Sequence, residues 1–288
     1  MAQTTLTMVK KCFLLPLLLF LITYVANAQE KDLIIATFNI RYDNPQDDPN
    51  TWENRQLAVS QLIRFHGFDI FGIQEGLRHQ VKDLEDLLPN FNFVGVGRDD
   101  GKEKGEYSAI FYRKDKFKVK KTSTFWLAPE TDHPNKGWDA ALPRICTWAK
   151  MEELETGREF YAFNTHFDHR GAEARKQSAA LILEKIDAIN KENLPVFLMG
   201  DFNVDQSSEA YHLLQNAPGM KDTYKTADFV YANNGSTNSF DLTKSTERII
   251  DHIFVSESIK VKKYGLLTDT YHNRFPSDHF PVMAIIAW

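Results

Sequence analysis

The sequence predicts an α/β (α+β) four-layer sandwich, with two mixed β-sheets packed on each other and flanked by helices. Three observations predict it. A strand-then-helix unit occurs twice near the N-terminus, residues 91–154 are rich in short strands, and a long helix with a buried strand precedes three closing strands. Six or more strands are too many for one small sheet, and each helix has one apolar face. Stacked sheets with helices outside bury all of these faces. No self-similarity at a period of about 20–50 residues points to a repeat array. A 43% hydrophobic, 25% charged chain of 288 residues can bury a sizeable core.

Residues 33–40 form a short apolar run with β-branched members, and Asn50-Thr51-Trp52-Glu53 is a helix start ahead of Leu57, Leu62 and Ile63. Residues 68–73 repeat the strand. Leu77, Val81, Leu84 and Leu88 then follow at helical spacing, stopped by Pro89. Strands are expected at 91–96, 107–112, 117–119 and 145–152, and Glu155-Thr156-Gly157-Arg158 turns the chain into another at 160–165. Ala174, Leu181, Ile182, Ile186 and Ile189 mark a long helix, and strands at 195–200, 249–255, 261–267 and 280–286 complete the chain. No linker divides residues 29–288, which are expected to form a single domain.

Residues 1–28 are expected to be a secretory signal. Lys10 and Lys11 precede an apolar run to Ala26, and Ala26-Asn27-Ala28 has the small-x-small cleavage pattern. A membrane anchor fits less well, because the run is shorter than the ~20 residues a span needs and contains Pro16. The mature protein is therefore expected to be exported, periplasmic or secreted, with no stable membrane insertion and no obligate protein partner. The chain has 34 basic and 39 acidic residues, net −5, and cleavage removes only Lys10 and Lys11, taking it to −7. That balance argues against a nucleic-acid-coating protein. Cys146 is left without a partner for a disulfide and lies in an apolar stretch, the setting of a small buried hydrophobe. Lysines alternating with Phe117 and Val119 indicate a half-buried strand with a solvated edge, and Trp126, Trp138 and Trp148 are expected to pack in core or loops.

Polar residues cluster at the expected strand ends: Asn39 and Arg41, Gln74 and Glu75, Asn164 and His166, Asp201 and Asn203, Asp251, then Asp278 and His279. Each alone could be a cap or an Asx-turn. Asp251 is the most telling, because an acid inside an apolar strand is costly to bury without a partner. Oxygen donors select a hard cation such as Mg²⁺, and a histidine backed by a carboxylate can take a proton from an attacking water. Phosphoryl transfer to water is the chemistry implied.

Phe38-Asn39-Ile40-Arg41, Ile73-Gln74-Glu75, Asn164-Thr165-His166, Gly200-Asp201-Phe202-Asn203, Ile250-Asp251 and Ser277-Asp278-His279-Phe280-Pro281-Val282 together resemble the ordered motifs of the endonuclease/exonuclease/phosphatase superfamily, deoxyribonuclease I among them. The resemblance spans the mature chain and implies a deoxyribonuclease I-like fold. It implies Glu75 as principal Mg²⁺ ligand, Mn²⁺ being a possible substitute, with Asn39 and Asp278 near the metal. His279 would be the general base oriented by Asp251. Asp201 and Asn203 would position water and phosphate, His166 would bind phosphate or act as acid, and Glu106 would support His166. Arg41 would contact phosphate, and it departs from abasic-site enzymes, which carry aspartate there.

His169, Arg170 and Arg175 are expected beside the site, with substrate contact weighed against roles in helix entry or on a solvated helix face. His252 should point away, since adjacent strand side chains face opposite ways. The first expectation is an exported Mg²⁺-dependent phosphodiesterase, nuclease-like. The second is a phosphatase or phosphodiesterase acting on lipid head groups, inositol or sugar phosphates. A non-catalytic phosphate-binding protein on the same fold is the rival from another class, disfavoured because every motif is complete. A zinc hydrolase is disfavoured because the donors are mostly oxygen.

Overall fold

The apolar pattern gives strand–helix units near the N-terminus, a run of strands in the middle and mixed elements after it. The computed structural model describes Met1 and residues 31–231, 234–244 and 246–288; the expected signal, Met1 apart, lies outside them. In order come β1 (Asp32–Asn39), α1 (Trp52–Phe65), β2 (Ile70–Gln74), α2 (Arg78–Leu87), β3 (Phe91–Val94), β4 (Ile110–Arg113), β5 (Phe117–Trp126), β6 (Ile145–Glu153) and β7 (Glu159–His166). Then follow α3 (Ala172–Ile189), β8 (Val196–Asp201), α4 (Glu209–Gln215), β9 (Met220–Asp222), α5 (Thr223–Thr226), β10 (Phe229–Tyr231), β11 (Asp251–Ser256), β12 (Val261–Leu266) and β13 (Val282–Ala287). A seven-stranded sheet runs β10-β12-β13-β1-β2-β4-β3, and a six-stranded sheet runs β5-β6-β7-β8-β11-β9. Among the described residues no helix is long and apolar enough to cross a membrane.

The period-2 alternation of each strand decides which layer a side chain enters. On β1, Leu33 and Ile35 pack between the sheets, whereas Ala36 and Phe38 pack under α1 and α2. On β8, Phe197 and Met199 face the other sheet, while Val196 and Leu198 meet α3 and α4. β7 and β11 divide the same way, with Phe160, Ala162, Ile253 and Val255 inward and Phe163 and Phe254 outward. The result is the four-layer arrangement expected.

Some elements differ from the sequence expectation. The fifth strand continues to Trp126 through the polar residues 120–124, because β5 is a sheet edge and needs burial on only one side. Residues 107–109 precede β4 and Tyr107 pairs only through isolated bridges with Gly76 and Gly97. The short α4, whose N-cap Ser208 accepts from the Tyr211 amide, and the three-residue β9 and β10 are too brief to show a period. Cys146 is fully buried and Trp126 and Trp148 are buried, whereas Trp138 is exposed.

One polar link crosses the sandwich. Asn164 on β7 donates from Nδ2 to the carbonyls of Ile73 and Ala109, both 2.8 Å away, and its Oδ1 accepts from Gln74 Nε2 at 2.6 Å. Room for that amide depends on Gly72, where a Cβ would come within 2.4 Å of the Asn164 side chain. Gly72→Ala should therefore cost about 3 kcal/mol, combining overpacking with lost buried hydrogen bonds. Chemical denaturation would measure it; a change below about 1 kcal/mol would show that Asn164 relocates freely.

Candidate active site

At one end of the sandwich the inward-facing rows change from apolar to polar. Thr37 and Asn39 continue the row of Ile35, Asn164 and His166 that of Ala162, Asp201 that of Met199, and Asp251 stands at the head of the row of Ile253. Strand register then sets them side by side: His166 pairs with Asp201 across β7–β8, and Asp251 with Asp201 across β8–β11. Asp278 and His279 enter from the loop before β13.

Strict alternation would turn Glu75 outward with Ile73. Its backbone instead has φ 63°, a left-handed conformation that redirects the side chain to the Asn39 amide. Arg41 and Asn203, also just past strand ends, have φ 55° and 51°. Left-handed non-glycine residues store strain of about 1–3 kcal/mol each, and three of them border this one site.

Asn39 is fully buried, and its Nδ2 lies 3.0 Å from both Glu75 Oε1 and Asp201 Oδ2, while Oδ1 accepts from the Arg41 amide. This orientation gives each carboxylate a donor. Asp201 also accepts from the Asn203 amide at 2.9 Å, and Asn203 Nδ2 donates to the Phe167 carbonyl. His279 Nδ1 lies 2.9 Å from Asp251 Oδ2, and its Nε2 lies 3.9 Å from Asp201 Oδ2. His166 Nε2 lies 3.5 Å from that same Asp201 oxygen.

Burial, and after it the charge of Asp251, pushes Asp201 up to about 7. For His279 burial opposes protonation, but the charge and hydrogen bond of Asp251, then Asp201 and Asp278, hold it well above the usual histidine range. His166 goes the other way: burial, then repulsion by Arg144 and Arg98, keeps it neutral far below that range. Two histidines at one site thus have opposite protonation tendencies.

Arg41 forks onto Asp47, with Nε and Nη2 at 2.8 and 3.2 Å, and stands 3.9 Å from Glu75 and 3.8 Å from Asp278. Glu75 and Asp278 therefore face a common space beside one cation, an arrangement of hard oxygen donors suited to a divalent ion. Asp201, Asp251 and His279 also offer ligand atoms within 4.8 Å of one another, a second spacing that could hold a metal. Glu106 differs from expectation: its Oε2 is 3.8 Å from His166 Nδ1, beyond hydrogen-bond reach, because Arg98 takes both of its oxygens at 2.6 and 2.8 Å. His252 points away, as expected, and bonds to the Val204 carbonyl. Arg175 donates to the Asp168 carbonyl, Arg170 is exposed, and His169 Nδ1 lies 2.9 Å from Arg144 Nη2 at the wall of the cleft. Arg41, Glu75, His166, Asp201, Asp278 and His279 are among the residues that line a cleft of about 450 Å³.

Sequence reasoning missed the residues that hold the loops. Arg55 of α1 is fully buried and donates to the carbonyls of Ile40 and Pro276, both at 2.8 Å, and also to those of Arg41 and Asn50. It clasps the loop after β1 to the loop carrying Asp278 and His279. Burial lowers its pKa to about 10, so it remains charged at neutral pH. Ser277 adds a bond to the Asn39 carbonyl at 2.7 Å. Ser236 Oγ accepts from the Ile250 and Asp251 amides, and its carbonyl accepts from Phe280, which ties the acid to the histidine loop. A helical arginine amid apolar residues has no sequence mark that separates it from a surface one; only its full burial does.

Carboxylates for a hard cation and a carboxylate-backed histidine, set at the open end of two stacked sheets, define a metal-dependent phosphoester hydrolase. The chain belongs to the endonuclease/exonuclease/phosphatase family, whose model matches residues 36–279. It is similar to the solved structure of a Bacteroides thetaiotaomicron mannosyl-6-phosphatase, 47% identical with TM-score 0.87, covering 89% of this chain and 100% of that one. An endonuclease/exonuclease/phosphatase from Bacteroides vulgatus is 45% identical with TM-score 0.85, covering 89% and 99%. The catalytic domain of human nocturnin, at 18% identity and TM-score 0.71 over 90% and 97%, shares the fold.

Arg55→Met should lower stability by about 3 kcal/mol or more, since four carbonyls lose a buried charged donor. Thermal unfolding with a circular-dichroism readout checks this; an unchanged midpoint would show that the two loops hold without the clasp.

Proposed function

We propose that the protein is an exported, Mg²⁺-dependent phosphatase of sugar phosphates, periplasmic or secreted, that hydrolyses its substrate by attack of water on phosphorus. The observation that carries the chemistry is the 2.9 Å contact of Asp251 with His279, beside Asp201 and Asn39. The substrate class rests on the 47% likeness to a mannosyl-6-phosphatase over 89% of the chain. A cleft of about 450 Å³ has the size of a small-molecule pocket, and a net charge of −5 does not favour a long polyanion.

In this reading Asp251 fixes the imidazole of His279 so that Nε2 faces the cleft and takes the proton of the attacking water. Asp201 and Asn203 orient the water and the phosphate. Neutral His166 donates one hydrogen bond to a phosphate oxygen, and Arg41 adds charge through Nη1, which its fork onto Asp47 leaves uncommitted. Glu75 and Asp278 would hold Mg²⁺, or Mn²⁺ in its place, and Asn39 keeps Glu75 aimed. When bound, the ion supplies charge neutralisation at the phosphate. Asp251 is the weaker ligand candidate, because it is fully buried and one of its oxygens is committed to His279. With Asp278 committed to a cation, less negative field would fall on His279, which favours its neutral, basic form.

A phosphomonoesterase is preferred to the nuclease-like phosphodiesterase. The echo of deoxyribonuclease I at Glu106 is engaged here by Arg98. No stable membrane insertion and no obligate protein partner enter this reading; the partner is the phosphoester.

Assay of the mature protein with Mg²⁺ on hexose phosphates, inositol phosphates, sphingomyelin, DNA and bis-p-nitrophenyl phosphate tests the proposal. Hexose phosphates should be cleaved best, and preferential cleavage of DNA would restore the nuclease reading. His279→Ala should lower kcat by at least ~10²-fold in a folded protein, as expected for loss of a general base. Glu75→Gln should shift the Mg²⁺ titration to higher concentration, and an unchanged curve would place the ion elsewhere.

A further inference from the structure

Arg144, on the wall of the cleft with His166, has no part in the proposed reaction. It precedes β6, is 4% exposed, and is fixed on one side by Asp168, whose Oδ2 lies 3.3 Å from its Nε. Asp168 is itself a built support. Its other oxygen accepts from the Arg170 and Gly171 amides at 3.0 and 2.8 Å, and Oδ2 also takes the Leu142 amide. Although burial works against it, these backbone donors and then Arg144 hold the Asp168 carboxylate well below the usual range. Nη2 of Arg144 meets His169 Nδ1, and since a guanidinium has no acceptor, Arg144 donates this bond. Nη1 is buried and has no partner.

An unused donor on a buried cation is expensive to leave unpaired, so the position implies an acceptor that arrives from outside the fold. Of the other guanidiniums at the site, Arg98 is forked on Glu106 with only its Nε lacking a hydrogen bond, and Arg41 is forked on Asp47 with Nη1 3.9 Å from Glu75. Arg41 stands on the side of Glu75 and Asp278, whereas Arg144 lines the cleft with Glu106, His166 and His169. A phosphate seated between these walls would have Arg41 and the cation held by Glu75 and Asp278 on one side and Arg144 on the other.

We propose that Arg144 is a specificity-determining residue that binds the third terminal oxygen of a phosphomonoester. It thereby makes this cleft selective for monoesters over diesters. A monoester near neutral pH carries close to two negative charges on three terminal oxygens; a diester carries one charge on two. The guanidinium reaches an oxygen that a diester replaces with an ester link, so the second substituent of a diester would press on Arg144 and its Asp168 support. This inference rests on the phosphatase reading and narrows it to one chemical class.

The test compares the mature wild type with Arg144→Gln and His169→Ala, using p-nitrophenyl phosphate, bis-p-nitrophenyl phosphate and inorganic phosphate with Mg²⁺. Arg144→Gln should lower kcat/KM for the monoester by about 10²-fold while leaving the diester within about threefold, the loss expected of one charged donor to a reacting oxyanion. The rise in melting temperature produced by inorganic phosphate should shrink in the same variant, a readout that needs no turnover. His169→Ala, which removes only the acceptor that steadies Nη2, should raise KM for the monoester several-fold and serves if Arg144→Gln does not fold. Equal losses on monoester and diester, or an undiminished phosphate-induced shift, would overturn the proposal and leave Nη1 to water. A wild type that cleaves neither ester but is stabilised by phosphate through Arg144 would instead sink the phosphatase reading and keep the anion site.

Discussion

The face-to-face packing of two sheets along one inward row of side chains is the constraint on which everything else depends. Leu33, Ile35, Phe197, Met199, Ile253 and Val255 interdigitate because stacked sheets exclude water between them. At the end where the rows turn polar, the same geometry forces Asn39, His166, Asp201 and Asp251 against one another. The apolar core behind them offers no partner, so Asn39 answers Asp201 and His279 answers Asp251. The Asn164 amide, reaching across to Ile73, Ala109 and Gln74, fixes the spacing of the two sheets just below that end. Active-site geometry is therefore a boundary condition of the core.

That boundary is electrostatically tense. Asp201 and Asp251 are cross-strand neighbours, both buried, and one of them, Asp201, is pushed toward neutrality by burial and by the other. His279 relieves the pair by carrying charge, while His166, through burial and then the repulsion of Arg144 and Arg98, sheds it. Left-handed backbone at Arg41, Glu75 and Asn203 adds strain. Arg55, Ser277 and Ser236 oppose these costs with bonds to main-chain atoms, which hold loops without altering the chemistry of the side chains they present.

Much of the fold was legible because long periodic strands and helices announce their own faces. Strand alternation sets Asp251 and His252 on opposite faces, so with Asp251 at the site His252 must turn away, and the structure has both. Short or edge elements were not legible: α4 has seven residues, and β5 runs on through polar positions that a sheet edge tolerates. The strand-end motifs brought every proposed site residue to one cleft region. Alternation by itself would have turned Glu75 away, and only its left-handed backbone brings it in. The partner of Glu106 was illegible, since Arg98 lies in a loop whose path nothing local prescribes.

By itself the sequence determined the layers, the polar strand ends and the hard-donor character of the site, because periodicity and residue chemistry are local properties. Tertiary structure alone decided that Arg98 and not His166 takes Glu106, and that Arg55 clasps the loop after β1 to a loop 221 residues further along the chain from Arg55 itself. It also decided that Arg144 keeps one donor unspent. These are pairings between distant segments, set by how two sheets and their loops close over one another. A side chain's partners at that range depend on three-dimensional register and burial, and neither is written in the spacing of neighbouring residues.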